Sequence, residues 1–395
     1  MYTYLKIYRE RGLNPDIKSL IKLISRQSKL AKDQYQKLST PKTMSEGLYV
    51  HAWVRNAVIH DIYENIKIIR PEHEYKASID FYLAFPNSLR KKLRKDINSA
   101  TLDQRAKVWN KYKLDFKKIE KTFIALTIQR NTWAKQKGFK NFLEEKLKHY
   151  KIPRKDYELF KAQTNNLIKY CNSQLPKIKL PSIVLTEFTK PCYLCLSTNF
   201  PFTNLEETIN FVFGEYEILQ KFKKKIKIKF TDYSEMSYNV QDDSFEISIE
   251  KDTNLRHQSL AIIHELIHVV NHIESYKRGF LPSEKGNYFQ EKETLKKEIP
   301  LLKKISPVFY KSIFSEFLKV FQQVLFEIEL YNNPNQNLSK LYADVYNLCY
   351  PQANQKQNRS FILNKDIVEQ PLSILPNAIA QSIVIKKYLK LNTSS

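Results

Sequence analysis

The chain is short of cysteine and glycine, and it has no long apolar run. Only 4 of its 395 residues are cysteines and 6 are glycines. So few cysteines in a chain of this length exclude a disulfide-stapled scaffold. No segment reaches the roughly 18 consecutive apolar residues that a membrane span requires, and the N-terminus lacks the apolar stretch of a secretory signal. We therefore expect a cytoplasmic protein. With 42% hydrophobic residues, it can bury a sizeable core.

Acidic residues are also scarce relative to basic ones. The chain has 41 Asp and Glu against 65 Lys and Arg, a formal net charge of +24. Such a charge suggests a nucleic-acid partner. However, lysines greatly outnumber arginines, whereas base recognition favours arginine. Abundant Lys, Asn, Ile, Tyr and Phe with little glycine is also what an AT-rich genome produces. We expect no specific nucleic-acid partner, and a basic nucleic-acid-binding protein is the weakest alternative.

The four cysteines comprise one close pair and two single residues. Cys192 and Cys195 stand in PCYLC, a spacing compatible with a redox motif or with half of a zinc ribbon. A ribbon needs a second such pair, which the sequence lacks, so two packed thiols are expected here. Cys171 and Cys349 are expected to be small core residues.

Apolar periodicity divides the chain into two regions. Residues 1–175 carry apolar residues at helical spacing, interrupted at prolines. Residues 176–395 begin with a proline-rich connection and contain two strand-like alternations, 225–230 (KIKIKF) and 244–250 (SFEISIE). These two runs predict a small antiparallel sheet, and the remainder reads as helix. The predicted domains are thus 1–175 and 176–395.

The segment 254–275, NLRHQSLAIIHELIHVVNHIES, is apolar on almost all sides of its predicted helix. Such a helix is buried, and polar side chains within it are costly unless they serve a purpose. His264 and His268 are four residues apart, so both imidazoles project from one face about one turn apart. That spacing suits two ligands of one zinc ion, with Glu265 as general base on the bound water. The less favoured interpretation is two buried histidines satisfied by hydrogen bonds.

A zinc site of this kind needs a third protein ligand and an open position for water. No third histidine follows at close spacing, so a carboxylate from a later helix is expected. The segment NYFQEKETLKKEIPLL offers Glu291, Glu293 and Glu298, of which the first and last share a face. His272, one turn beyond His268, is either a supporting residue of the site or a packing residue.

These segments resemble the oligoendopeptidase F and thimet oligopeptidase family of gluzincin zinc metallopeptidases. HELIH is similar to the family's zinc helix, and FQEKETLKKE to its second helix, where the ligand glutamate is followed by another seven residues later. The resemblance implies Glu291 as the third ligand of one Zn²⁺, with Glu298 as a supporting residue or alternative ligand. Weaker similarities are carried by 321–329 (FQQVLFEIE) and 130–147 (RNTWAKQKGFKNFLEEKL).

The family resemblance also implies a fold and a substrate class. It implies a mainly α-helical zincin ellipsoid with a deep substrate channel, covered by residues 1–175, and a small antiparallel sheet beside the zinc helix. In the family an edge strand holds an extended peptide by strand addition. Phe245, Ile247 and Ile249 would lie on that strand and bind substrate. The family's narrow channel implies short, unstructured peptides as substrates.

Two departures from the family pattern concern this site. Ile267 stands where the family has glycine, and 369–382 (EQPLSILPNAIAQS) lacks the histidine and tyrosines that stabilise the family's oxyanion. Loss of an oxyanion donor costs about 10²–10³ in turnover. We expect a zinc-dependent oligoendopeptidase, and the alternative is a catalytically degenerate relative that binds zinc and peptides. The candidate replacements for the missing donor are Tyr342, Tyr346, Tyr350 and Tyr388.

Overall fold

The computed structural model describes residues 80–100, 102–175, 201–231, 234–239, 244–251, 255–278, 285–351 and 355–389. Packing of the backbone divides the chain into two compact units. The larger unit comprises Lys76–Asn271 and Lys285–Ser395, and it contains the histidines and glutamates of the candidate site. The smaller unit comprises Met1–Tyr75 and His272–Glu284. The Cys192 and Cys195 pair lies outside the described residues.

The described residues are mainly helical, as the sequence predicts. On the N-terminal side of the sheet the helices are α1 (Asn87–Ser99), α2 (Leu102–Lys111), α3 (Phe116–Gln136), α4 (Phe142–His149), α5 (Arg154–Gln174), α6 (Leu205–Glu215) and α7 (Glu217–Phe222). After the sheet they are α8 (Leu255–Lys277), α9 (Asn287–Ile305), α10 (Pro307–Asn332), α11 (Leu338–Cys349), α12 (Lys365–Glu369) and α13 (Leu375–Leu389). Short 3-10 segments occupy Lys223–Lys225 and Ser360–Leu363.

Several helices begin where the sequence supplies a cap or a proline. Asn141 Oδ1 accepts a hydrogen bond from the Glu144 N–H (3.0 Å) at the start of α4. Pro86 and Pro153 directly precede α1 and α5. The fixed φ of proline suits a helix entry, and its missing N–H removes no helical hydrogen bond there. The sequence predicts that prolines interrupt the helices of residues 1–175, and the structure confirms this at Pro86 and Pro153.

The sheet has three strands and is mixed, so the predicted antiparallel pairing is wrong. Its strands are β1 (Ile226–Thr231), β2 (Glu235–Asn239) and β3 (Ser244–Glu250), in the order β1-β3-β2. β3 pairs in parallel with β1 and antiparallel with β2. The reason is that β2, which follows β1, occupies the antiparallel position beside β3. β1 therefore pairs with the other side of β3, in the parallel direction.

β3 is the central strand, so the prediction that it forms an edge is also wrong. A central strand has neighbours on both sides, so its backbone groups are not free for strand addition. Phe245, Ile247 and Ile249, which were assigned to substrate binding because of that edge position, are at most 1% exposed. Their side chains belong to the core. In the described residues the edges are β1 and β2.

α8 is buried on almost all sides, as its composition predicts. Six of its apolar side chains, including Ile267, are completely buried; the others are Ile262, Ile263, Leu266, Val269 and Val270. Near its start, the hydroxyls of Ser259 and Thr208 meet at 2.9 Å, which joins α8 to α6. The bulky Ile267 is thus accommodated within the core.

α9 is held in place by helices that precede and follow it in the sequence. It packs against α10 and α13, and α13 packs against α5. Asp156 of α5 accepts hydrogen bonds from the Tyr288 hydroxyl (2.5 Å) and the Lys292 ammonium (3.3 Å) of α9. These two bonds flank Glu291 in sequence, so they fix the turn of α9 that carries it.

A proline within α9 explains the position of Tyr388. Pro300 lies inside α9 and has no N–H to donate to the carbonyl of Lys296, four residues earlier. The Tyr388 hydroxyl of α13 donates to that carbonyl at 2.7 Å. A hydrogen bond between helices thus replaces the missing bond within the helix.

The segment 130–147 has a structural role. Arg130 is 2% exposed and donates to the Tyr331 hydroxyl (3.2 Å) and the Val368 carbonyl (2.7 Å). Asn131 donates to the Tyr331 carbonyl at 2.9 Å. These bonds tie α3 to the end of α10 and to α12.

Helices from both sides of residue 175 belong to the larger unit, where α5 packs against α10 and α13. A separate region 1–175 that covers a channel stays a prediction. Cys171 and Cys349 are buried free thiols, as expected. Among the described helices, none combines the length and the apolar character that crossing a bilayer requires.

Candidate metal centre

The two histidines of α8 point to a common position. His264 and His268 lie one helical turn apart, and their Nε2 atoms are 3.1 Å from each other. Their side chains are 21% and 11% exposed, whereas the apolar residues around them are sealed. α8 therefore presents two partly exposed imidazoles among apolar side chains that are completely buried.

Glu291 of α9 completes a group of three possible ligands. Its Oε2 lies 3.5 Å from His264 Nε2, and its Oε1 lies 3.5 Å from His268 Nε2. In the described part of the chain this is the group of histidine, cysteine and acidic side chains whose donor atoms converge, all within 4.8 Å of one another.

The spacing of these atoms fits a tetrahedral metal. Ligands held 2.0–2.1 Å from zinc at tetrahedral angles lie about 3.3–3.4 Å apart. The two histidine nitrogens are 3.1 Å apart, and each lies 3.5 Å from a different oxygen of Glu291, so all three separations are close to that value. Two imidazoles and one carboxylate are also a donor set that zinc accepts, with one position left for water.

The surrounding charges favour a cation at the same place. Burial by itself lowers the pKa of His264, but Glu298 and Glu291 outweigh it and raise that pKa well above its ordinary value. Burial raises the pKa of Glu291, yet His268 and His264 outweigh burial and lower it. Positive charge is thus favoured among the three side chains. A divalent ion supplies it while both imidazoles stay neutral and free to bind.

Each histidine is oriented by a partner on α9. His264 Nδ1 is 2.9 Å from Glu298 Oε2, and Glu298 is 6% exposed. His268 Nδ1 is 3.0 Å from the hydroxyl of Thr294. Partners of this kind fix the ring orientation of a metal-binding histidine. Glu298 therefore contacts the far side of His264 instead of joining the converging group.

Glu265 follows the first histidine and is 7% exposed. Burial is the largest cause that raises its pKa; His264 and His268 act in the opposite direction, while Glu291 and Glu235 add to the increase. These charges show that Glu265 lies within electrostatic reach of the cluster. A carboxylate with a raised pKa is a better proton acceptor than an ordinary one.

The other predicted candidates lie elsewhere. His272 is half-buried one turn after His268 and is not among the converging ligands. Glu293 pairs with Lys296 at 2.5 Å on another face of α9, as the helical spacing predicts. Tyr342 packs against Phe326 and Phe361 in the core.

Sequence reasoning missed two polar residues of the site. Thr294 carried a usable signal, because Glu291, Thr294 and Glu298 follow the spacing i, i+3, i+7 of one helical face. Asn377 of α13 carried none. Its side-chain amide donates to Glu291 Oε2 at 2.9 Å, across 86 residues of sequence.

The comparisons with known proteins add one structural similarity. No family model and no curated protein matches this chain. Among solved structures, Pz peptidase A with inhibitor 2 is similar at 13% identity and a TM-score of 0.49, over 94% of this chain and 86% of that one. Function is therefore inferred from the geometry of the site itself.

Proposed function

We propose that this protein is a zinc-dependent metallopeptidase that hydrolyses short, unstructured peptides. The observation that supports it best is the convergence of His264, His268 and Glu291 at tetrahedral spacing, with Glu265 next to the first ligand. When bound there, a zinc ion polarises a carbonyl oxygen and lowers the pKa of a water molecule.

Side chains of the protein would transfer the proton and orient the two imidazoles. Glu265 takes the proton of the attacking water and passes it to the nitrogen of the departing amine. Its raised pKa suits both steps, because the group must first gain and then release that proton. Glu298 and Thr294 keep the two imidazoles oriented so that their Nε2 atoms face the metal position.

The preference for short peptides rests on the family resemblance and is part of the proposal. With β3 in the centre of the sheet, a peptide added as an extra strand would have to pair with an edge. β2 is the edge to consider, because Glu235 at its start lies within electrostatic reach of Glu265.

A catalytically degenerate zinc protein that binds peptides is the second candidate. The favouring observation is that α13 brings the amide of Asn377 to Glu291, in a stretch with no histidine or tyrosine between 369 and 382. Tyr388, a candidate oxyanion donor, has its hydroxyl on the Lys296 carbonyl. Tyr342 is in the aromatic core.

Cleavage of a quenched-fluorescent peptide library tests the proposal. Wild type should cleave in a chelator-sensitive manner, and Glu265→Gln should lower turnover by about 10²–10⁴ while keeping its metal, because only the general base is lost. Glu293→Gln, a change on another face of α9 where Glu293 pairs with Lys296, is the matched control and should behave as wild type.

Three other outcomes have distinct meanings. Equal cleavage by Glu265→Gln and wild type would refute the assignment of the general base. Metal without cleavage in wild type would support the degenerate binder. Absence of bound metal would refute both candidates.

A further inference from the structure

A chain of hydrogen bonds leads from a lysine on α9 to the back of His268. Lys297 Nζ donates to Asn271 Oδ1 at 2.8 Å, and Asn271 Nδ2 donates to Thr294 Oγ1 at 3.0 Å. The same Thr294 oxygen lies 3.0 Å from His268 Nδ1. Thr294 is completely buried and Asn271 is 8% exposed.

The lysine fixes the direction of this chain. An ammonium group can only donate, so the carbonyl end of the Asn271 side chain must face Lys297. The NH₂ end then faces Thr294 and occupies one lone pair of its hydroxyl oxygen. Asn271 therefore cannot accept the Thr294 hydroxyl hydrogen, and His268 Nδ1 is the remaining partner for it among the contacts of this side chain.

This direction opposes metal binding by His268. A metal at Nε2 requires the imidazole proton to sit on Nδ1. In that state the Thr294 oxygen must accept hydrogen bonds from both Asn271 Nδ2 and His268 Nδ1, and the hydroxyl hydrogen of Thr294 loses its acceptor. Without metal, the Thr294 hydroxyl can donate to Nδ1, which leaves the proton on Nε2.

His264 has the opposite kind of support. Its Nδ1 faces the buried carboxylate of Glu298, which only accepts when ionised. A carboxylate partner fixes the proton on Nδ1 and increases the basicity of Nε2. The two histidines of α8 are therefore unequal as ligands.

We propose that Lys297 and Asn271 are positioning residues that direct the Thr294 hydroxyl toward His268 Nδ1, which makes His268 the weaker histidine ligand and so reduces the metal affinity of the centre. The inference deepens the proposed function, since it concerns the same three metal-binding side chains. It also predicts a property of the metal-free protein, which can be measured independently of metal binding.

Two substitutions in this series of hydrogen bonds should change the zinc affinity in opposite directions. Thr294→Val has a similar shape but cannot accept the Nδ1 proton, so zinc should bind about 10–100-fold more weakly. Asn271→Asp offers an acceptor to the Thr294 hydroxyl, which then accepts from His268, so zinc should bind about tenfold more tightly. Thr294→Ser keeps the hydroxyl and should therefore have nearly wild-type zinc affinity. Lys296→Met, which replaces the lysine next to Lys297, is the matched control.

The readouts are zinc affinity by competition with a chelator and the ¹⁵N chemical shifts of His268 in chelator-treated, folded protein. We expect the Nε2–H tautomer in wild type and the Nδ1–H tautomer in Asn271→Asp. A simple effect of added negative charge would change the affinity without changing the tautomer. Circular dichroism checks that each variant is folded.

Several results would overturn the inference. One is wild-type zinc affinity in Thr294→Val, and another is the same His268 tautomer in wild type and Asn271→Asp. If wild type binds no zinc, the proposed function fails, while the tautomer measurement still decides the present inference.

Discussion

Two glutamates on neighbouring helices have pKa values shifted in opposite directions. Glu291 of α9 is 21% exposed, and two histidines outweigh its burial and lower its pKa. Glu327 of α10 is completely buried, and burial raises its pKa to about 8 although hydrogen bonds from Gln323 and Leu372 oppose the increase. The difference shows that a glutamate in the protein interior becomes a candidate ligand when histidines beside it keep it ionised and its side chain stays partly exposed.

Glu327 has a structural role of its own. It accepts hydrogen bonds from the Gln323 amide and from the backbone N–H of Leu372. Leu372 has a φ of 60°, in the left-handed region that non-glycine residues seldom adopt. Glu327 thus holds the turn that precedes α13, and α13 carries Asn377 to Glu291.

The largest effect should come from replacing the carboxylate of Glu291, with the same replacement at Glu327 as the comparison. Glu291→Gln removes a ligand, so metal retention should fall by more than the roughly 10–100-fold that loss of a supporting partner costs. Glu327→Gln should retain its metal, because Glu327 is outside the converging group. Metal per protein after gel filtration measures both, and equal retention by the two variants would contradict the contrast.

Removal of the charge behind His264 should have the next largest effect. Glu298→Gln can still accept from Nδ1, but it no longer supplies the carboxylate charge that raises the basicity of the ring. Zinc affinity should fall by about 10–100-fold in a chelator competition. Unchanged affinity would mean that Glu298 serves packing alone.

Glu327 should make the stability of the protein depend on pH. Its raised pKa means that the folded state keeps a proton that the unfolded state releases between about pH 4.5 and 8. Stability should therefore fall by on the order of a few kcal/mol as pH rises through that range, and should level off above it.

Glu327→Gln should lack this component of the pH dependence. Urea unfolding from pH 5 to 9 compares it with wild type and with Glu329→Gln, an exposed control on the same helix. If the free energy of unfolding depended on pH in the same way in wild type and Glu327→Gln, the raised pKa of Glu327 would be refuted.

Asn377 should give the smallest effect. Its amide donates to Glu291, while its own buried Oδ1 has no hydrogen-bond partner among the residues that the structure describes. Asn377→Ala removes a bond worth about 1 kcal/mol together with an unsatisfied acceptor, so stability should change little. Zinc affinity should decrease less than in Glu298→Gln. A loss as large as in that variant would make Asn377 an essential support of Glu291.

The parts of the molecule that sequence predicts well are local in the chain. The burial of α8 and the shared face of Glu291 and Glu298 follow from helical periodicity alone. The third ligand required the family resemblance, because spacing left more than one glutamate open. The structure brings that glutamate to the two histidines.

The parts that sequence misses depend on contacts between distant segments. Alternation located β1 and β3 but could not reveal that β2 would occupy the antiparallel position beside β3. Asn377 reaches Glu291 only because α13 packs on α9. Neither contact leaves a local pattern in the sequence.

Crystals of the protein grown with zinc, measured at the zinc absorption edge, test the central claim most directly. We predict a single anomalous peak about 2 Å from His264 Nε2, His268 Nε2 and a carboxylate oxygen of Glu291. The peak should be absent in Glu291→Gln. A zinc peak elsewhere, or no peak at these three side chains, would contradict the account.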